Sequence, residues 1–243
     1  MLNKIVDALH KRSDLAGWTV RHLVTRGTQV YAVPKQTEAK RTAGIEQYKI
    51  DVLLPTSGAD GSEAVGSGNA SLLPGGDIET AIEKAVLTGR LVANPVHTVP
   101  APAPLPDVPL VDVDLQNDAA AITNAVMEQI QAATSRNPNV QLTAAECFGE
   151  IQTTHLVNSR GIDAEQEDTQ INLEFVLHSQ RGDQDVETFE EMRRRRVEDL
   201  KIETEIEQRV IQTLDQFEAG APPSWQGPVV LQGSVLATFM AGD

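Results

Sequence analysis

In the segment Ile171-Asn-Leu-Glu-Phe-Val-Leu177, Ile171, Leu173, Phe175 and Leu177 alternate with Asn172, Glu174 and Val176. Successive side chains on a strand point to opposite faces, so four apolar residues share one face and the segment reads as a strand with one side packed. Upstream, Val140 to Val157 is rich in β-branched residues and threonine. Between the two runs, Asn158-Ser159-Arg160-Gly161 has the composition that reverses a chain. The second half therefore holds at least one long hairpin.

On the C-terminal side, residues 186–200 fit either a charged strand or the start of a helix. Ile202, Ile206, Val210, Leu214 and Phe217 recur at helical spacing, with Gly220 and Pro222-Pro223 as a stop. Val229-Val230-Leu231 reads as a short strand. On the N-terminal side, Asp118 opens a helix in which Ile122, Val126 and Ile130 fall one turn apart, ended by Asn137-Pro138-Asn139. Residues 95–109 hold six of the thirteen prolines, which makes them an extended connector. Before it, Asp77 caps a helix with Ile78, Ile82, Ala85 and Val86 on its buried stripe. Tyr48 to Leu54 alternates as a strand. Residues 56–76, with six glycines, read as a loop with short strand pieces at Ala64-Val65 and 71–73. Trp18–Val24 and Gln29–Val33 around Thr25-Arg26-Gly27 suggest a hairpin, and Leu2, Ile5, Val6 and Leu9 a helix closed by Gly17. The fold class is α+β: two helix-plus-sheet layers with antiparallel hairpins, joined by the proline-rich connector. The divisions are 1–94, 95–109, 110–226 and 227–243. The last, with its apolar Val235–Met240, reads as the start of a C-terminal domain that is cut short.

The chain of 243 residues carries 20 Lys+Arg against 35 Asp+Glu, a net charge of −15. Such a balance works against general binding to phosphate backbones, which requires cations to displace counterions. The composition is 40% hydrophobic, enough for a core. A lone Cys147 excludes an internal disulfide framework and any multi-cysteine metal site. No apolar run approaches the roughly 20 residues that span a bilayer, and Asp7 interrupts any secretory signal, so a cytoplasmic location without membrane contact is expected.

No side chain reads as catalytic, cofactor-binding or metal-ligating. A zinc-peptidase helix needs two histidines a turn apart with a glutamate beside the first. His10, His22, His97, His155 and His178 are scattered, and none precedes a glutamate. Cys147 lies between Glu146 and Glu150, which oppose a thiolate. Ser159 lacks the Gly-x-Ser-x-Gly setting of a nucleophile elbow and reads as a turn residue. Gly66-Ser67-Gly68 is a fragment of a phosphate-binding loop at most. The run Arg193–Arg196 sits among Glu187, Glu190, Glu191, Glu198 and Asp199, which screen it, with no aromatic ladder for bases. Glu203, Glu205 and Glu207 diverge around a helix and form a hydrated face.

Several stretches together resemble the N-terminal part of the TldD/PmbA family, known as modulators of DNA gyrase and as metallopeptidases. These are Glu46-Gln-Tyr-Lys-Ile-Asp-Val-Leu-Leu54, the Gly-rich segment, the helix at 77–92, the exit Asn94-Pro95-Val96-His97-Thr98-Val99-Pro100, the hairpin His155-Leu-Val-Asn158-Ser159-Arg160-Gly161 and Gly227-Pro228-Val229-Val230-Leu231. Val99 stands where the family's connector more often has leucine, and the first forty residues diverge. The resemblance implies a non-catalytic region of a zinc metallopeptidase subunit. Zinc and the His-Glu-x-x-x-His helix would belong to the family's C-terminal domain, with no cofactor held by this chain. It also implies a homodimer, or a heterodimer with a paralogue, enclosing a chamber that admits unfolded peptides. A stand-alone interaction module and a DNA-associated modulator are the competing expectations.

Overall fold

The computed structural model describes residues 1–34, 36–221, 223–231 and 233–241. Six strands form one antiparallel sheet: β1 Gly17–Val33, β2 Gln36–Ser57, β3 Glu63–Leu72, β4 Gln141–Asn158, β5 Asp163–Arg181 and β6 Gln184–Arg194. Their order across the sheet is β3-β2-β1-β4-β5-β6. The helices are α1 Leu2–His10, α2 Ile78–Gly89, α3 Val113–Asn117, α4 Ala119–Ser135, α5 Ile202–Asp215 and α6 Gly233–Ala241. The architecture is α+β with antiparallel hairpins.

Two helical layers sit side by side on one face of this sheet. Near one end, α1 and α2 place Ile5, Leu9, Ile82 and Val86 against Trp18, Val20, Ile50 and Val52. Near the other, α3, α4 and α5 place Leu115, Val126, Ile130 and Ile206 against Val30, Cys147, Leu173 and Phe175. On β1, Val20 and Val30 are an even number of residues apart, which puts both cores on the same face. β1 and β4, from the two sides of the proline-rich connector, pair from Thr19↔Asn158 to Ala32↔Ala145. The two halves of the chain therefore share one sheet.

Several expectations hold. The alternation at Ile171–Leu177 buries Ile171, Leu173, Phe175 and Leu177. Asn158–Gly161 reverses the chain between β4 and β5, and Gly161 adopts a φ of 94°, a conformation glycine reaches without steric cost. Asp118 caps α4 by accepting from the Ala121 N–H, and Asp77 caps α2 by accepting from the Thr80 N–H at 2.8 Å. Replacing Asp77 by alanine leaves a free donor in the first turn, and thermal unfolding should show a loss of about 1 kcal/mol. An unchanged midpoint would mean that water caps this helix equally well.

Other expectations are corrected. Thr25-Arg26-Gly27 makes no turn, because β1 runs unbroken from Gly17 to Val33. Gly27 pairs with Ala43 on one side and Glu150 on the other, and a Cβ there would lie 2.5 Å from the Gly149 carbonyl oxygen. Its glycine serves a close backbone approach, which sequence cannot tell from a turn. Residues 56–76 are not a loop, since β3 occupies ten of them. Gly66 and Gly68 within β3 let the backbone of α2 lie directly on the strand, where any Cβ would overlap the Gly89 and Ala85 carbonyl oxygens. Gly17 begins β1, while α1 ends at His10. The ambiguous stretch at 186–200 is strand to Arg194 and then a short 3-10 turn, Val197–Leu200. Val229-Val230-Leu231 has no strand partner among the described residues, and Val230 is 90% exposed. Without a neighbouring strand to pair its backbone, a short apolar run does not form a strand.

The connector is held at one place. Val99 packs with Leu53 and Val65 on the sheet face opposite the helices. Asn158, 3% exposed, donates from Nδ2 to the Pro100 carbonyl. Its Oδ1 accepts from the Arg160 and Ile162 N–H groups, and Arg160 Nη1 donates to the Val99 carbonyl. The turn motif thus fastens the connector to the sheet.

Candidate functional site

Between the two helical layers a strip of the same sheet face is left without a helix. The register sets Tyr48, His22, His155 and Glu165 side by side on β2, β1, β4 and β5. One step along lie Glu46, Val24, Thr153 and Glu167.

Each imidazole is oriented by a carboxylate. His22 Nε2 lies 2.9 Å from Glu46 Oε1, and the Tyr48 hydroxyl donates to the same oxygen at 2.8 Å. The His22 ring stacks on Tyr48 with centroids 4.5 Å apart and planes 5° from parallel. His155 Nε2 lies 2.6 Å from Asp163 Oδ1, and its Nδ1 is 3.8 Å from Glu165 Oε2. Burial, and then the bond to Glu46, push the Tyr48 phenol up to about 12, so it is a donor at neutral pH. The two bonds from Tyr48 and His22 hold the Glu46 carboxyl below its ordinary range. The strip offers carboxylate acceptors and two rings. Its phenol is protonated and engaged, and the Thr153 hydroxyl donates to Glu167 Oε2 at 3.2 Å. Among the described residues no group of three or more His, Cys, Asp and Glu is arranged to hold a metal, so zinc finds no fitting site there.

The remaining side chains singled out in the sequence do not converge. His10 meets Trp18 edge to face at 5.0 Å, His97 Nδ1 lies 2.9 Å from the Pro95 carbonyl, and His178 pairs with Asp185. Cys147 is fully buried in the core, and burial pushes its thiol up to about 12. Ser159 Oγ accepts from the Trp18 N–H at 3.1 Å, as befits a turn residue. Arg193, Arg195 and Arg196 pair with Glu191, Asp168 and Glu198. Glu203 bridges to Arg136, and Glu205 lies 3.5 Å from Arg209 one turn on.

A hollow of about 600 Å³ lies beside Asp112, Asp114, Arg196, Val197 and Lys201. Its polar groups serve the fold. Asp112 accepts from the Asp114 and Leu115 N–H groups through Oδ1 and from the Val197 N–H through Oδ2. The pairing of His22 with His155 was missed in the sequence. Only the continuity of β1 through Gly27 fixes the register that brings them together.

No helix among the described residues is long and apolar enough to cross a membrane. No family model matches the chain, and no curated protein matches it in sequence. Solved structures do match its fold. TldE from Thermococcus kodakarensis aligns with a TM-score of 0.65 at 16% identity, over 88% of this chain and 47% of that one. A Thermotoga maritima protein described as a candidate modulator of a DNA gyrase aligns at 0.68 and 13% identity, over 93% and 50%. A Bacteroides thetaiotaomicron protein described in the same terms aligns at 0.60 and 16% identity, over 86% and 48%. The matched portion is the N-terminal part of those chains, and this chain spans about half their length.

Proposed function

We propose that residues 1–243 act as the N-terminal, non-catalytic region of a TldD/PmbA-like metallopeptidase subunit, in the cytoplasm, where they serve subunit contacts and substrate access. The observation that carries this reading is the shared fold: 93% of the chain superposes on half of a solved relative in fold. The order of motifs from Glu46 to Leu231 supports it independently of that superposition. The assembly is a homodimer or a heterodimer with a paralogous subunit, and its substrates are unfolded peptides. Zinc and the general-base glutamate would belong to the C-terminal domain of the family's subunits.

A second reading, a stand-alone interaction module, is favoured by two hydrophobic cores that are built from this chain's own residues. The gyrase-modulator description of the two bacterial proteins is not carried over, because three of the four clustered arginines already hold carboxylates. Sequencing the coding frame past Asp243 separates the readings. The peptidase-subunit reading expects an open frame of about the same length again, with or without His-Glu-x-x-x-His according to the paralogue. A stop codon directly after Asp243 overturns it in favour of the module.

A further inference from the structure

The sheet face opposite the helices carries a row of carboxylates that the fold satisfies only in part. The helices α3, α4 and α5 pack against Cys147, Leu173, Phe175 and Met192. The intervening residues of β4, β5 and β6 therefore point to the other side. Three adjacent registers matter there. Ala144, Val176 and Phe189 form an apolar row, with Phe189 61% exposed. Next to it, Glu146, Glu174 and Glu191 face one another directly on three neighbouring strands, with Tyr31 at the end of the row. The third row sets Phe148 and Arg193 on either side of Asn172.

Like charges directly opposite in a sheet destabilise it, and here three are in line. Arg193 Nε reaches Glu191 at 3.1 Å. Among the described residues neither Glu146 nor Glu174 has an ion-pair partner. Asn172 is 94% buried by its 6% exposure, and its Nδ2 donates to Glu174 Oε1 at 2.9 Å. Its Oδ1 is buried with no hydrogen-bond partner. A buried carbonyl left without a donor is costly. Glu146 and Glu174 thus face each other without a cation between them among the described residues, and a positively charged donor complements their row. A bare metal ion does not suit the patch, since no three carboxylate or imidazole groups among the described residues are placed to hold one. A guanidinium does suit it, with five N–H donors in a plane that stacks on rings such as Phe148 and Tyr31. The exposed Phe189 and its apolar row call for apolar side chains beside that cation. A second copy that laid the same row against this face would set carboxylate against carboxylate.

We infer that this face docks an extended segment of a partner protein that presents arginine between apolar residues. The test is fluorescence anisotropy with the full chain and a fluorescein-labelled peptide of alternating arginine and valine, beside the same peptide with glutamate for arginine. Saturable binding of the arginine peptide alone is expected. The double variant E146Q/E174Q should weaken it about tenfold or more, and F189S, an exposed position, several-fold. The double variant E128Q/E207Q removes the same charge from the exposed faces of α4 and α5 and should stay within about twofold. Absence of saturable binding by the unmodified chain overturns the proposal. Equal weakening by both double variants does so too, since it reduces the effect to net charge. Concentration-dependent dimers abolished by E146Q/E174Q, with peptide binding unaffected, assign the face to a second copy and also overturn it.

Discussion

Replacing Gly68 by valine is expected to cost about 3 kcal/mol or more and to release α2 from the sheet. A Cβ at this position overlaps the Ala85 carbonyl oxygen and lies 2.5 Å from the Gly89 amide nitrogen. Both obstacles are main chain in the middle and last turns of α2, so no rotamer change relieves them. The helix must move as a body, and Ile82, Ala85 and Val86 then leave the core they share with Ile50 and Val52. For a chain of this size the loss lowers the unfolding midpoint by roughly 6–12 °C. Gly44 is the control: its nearest neighbour to a Cβ, the Thr25 carbonyl oxygen, is 3.8 Å away, so Gly44→Ala should leave the midpoint within about 2 °C. Similar midpoints for both variants, followed by circular dichroism, would show that α2 does not lie on β3 as described.

Asn158→Ala carries the second large effect. The side chain makes three hydrogen bonds, to the Pro100 carbonyl and from the Arg160 and Ile162 N–H groups, in a site almost closed to water. Truncation leaves those partners unsatisfied at about 1–3 kcal/mol for each that stays buried, so a total near 3 kcal/mol is expected. The damage is local in a way that stability alone does not reveal. The connector loses its clamp beside Pro100, and limited proteolysis should cut within residues 96–106 far faster than in the unaltered chain. Arg160→Ala removes only the bonds to Thr98 and Val99 and should act in the same direction more weakly. Cleavage elsewhere, with the connector intact, would contradict the clamp.

Much of the fold follows from local pattern. The β4–β5 hairpin declares itself through strict alternation at Ile171–Leu177 and the turn chemistry of Asn158–Gly161. The helices α2 and α4 declare themselves through Asp77 and Asp118 at their starts. The errors share one physical source, which is that glycine has two uses. Gly27, Gly66 and Gly68 look locally like turn and loop residues, whereas each marks a place where two backbones touch. The contact lies far away in sequence, at Gly149 or in α2, and leaves no local trace. The strip between the helical layers was illegible for the same reason. Once β1 is split in two at Gly27, nothing sets His22 opposite His155; the row of Glu146, Glu174 and Glu191 is hidden for a different reason, because residues 186–200 fit a strand or a helix and so do not place Glu191 beside Glu174. The short helix α3 escaped notice because five residues carry too little periodicity.

The central claim is that residues 1–243 contribute structure and contacts to a peptidase assembly without holding its catalytic centre. The most direct measurement is the zinc content of the purified chain, taken with its cleavage of an unfolded protein substrate in the presence and absence of a chelator. The account predicts zinc well below one equivalent and no cleavage under either condition. One equivalent of zinc together with chelator-sensitive cleavage would contradict it.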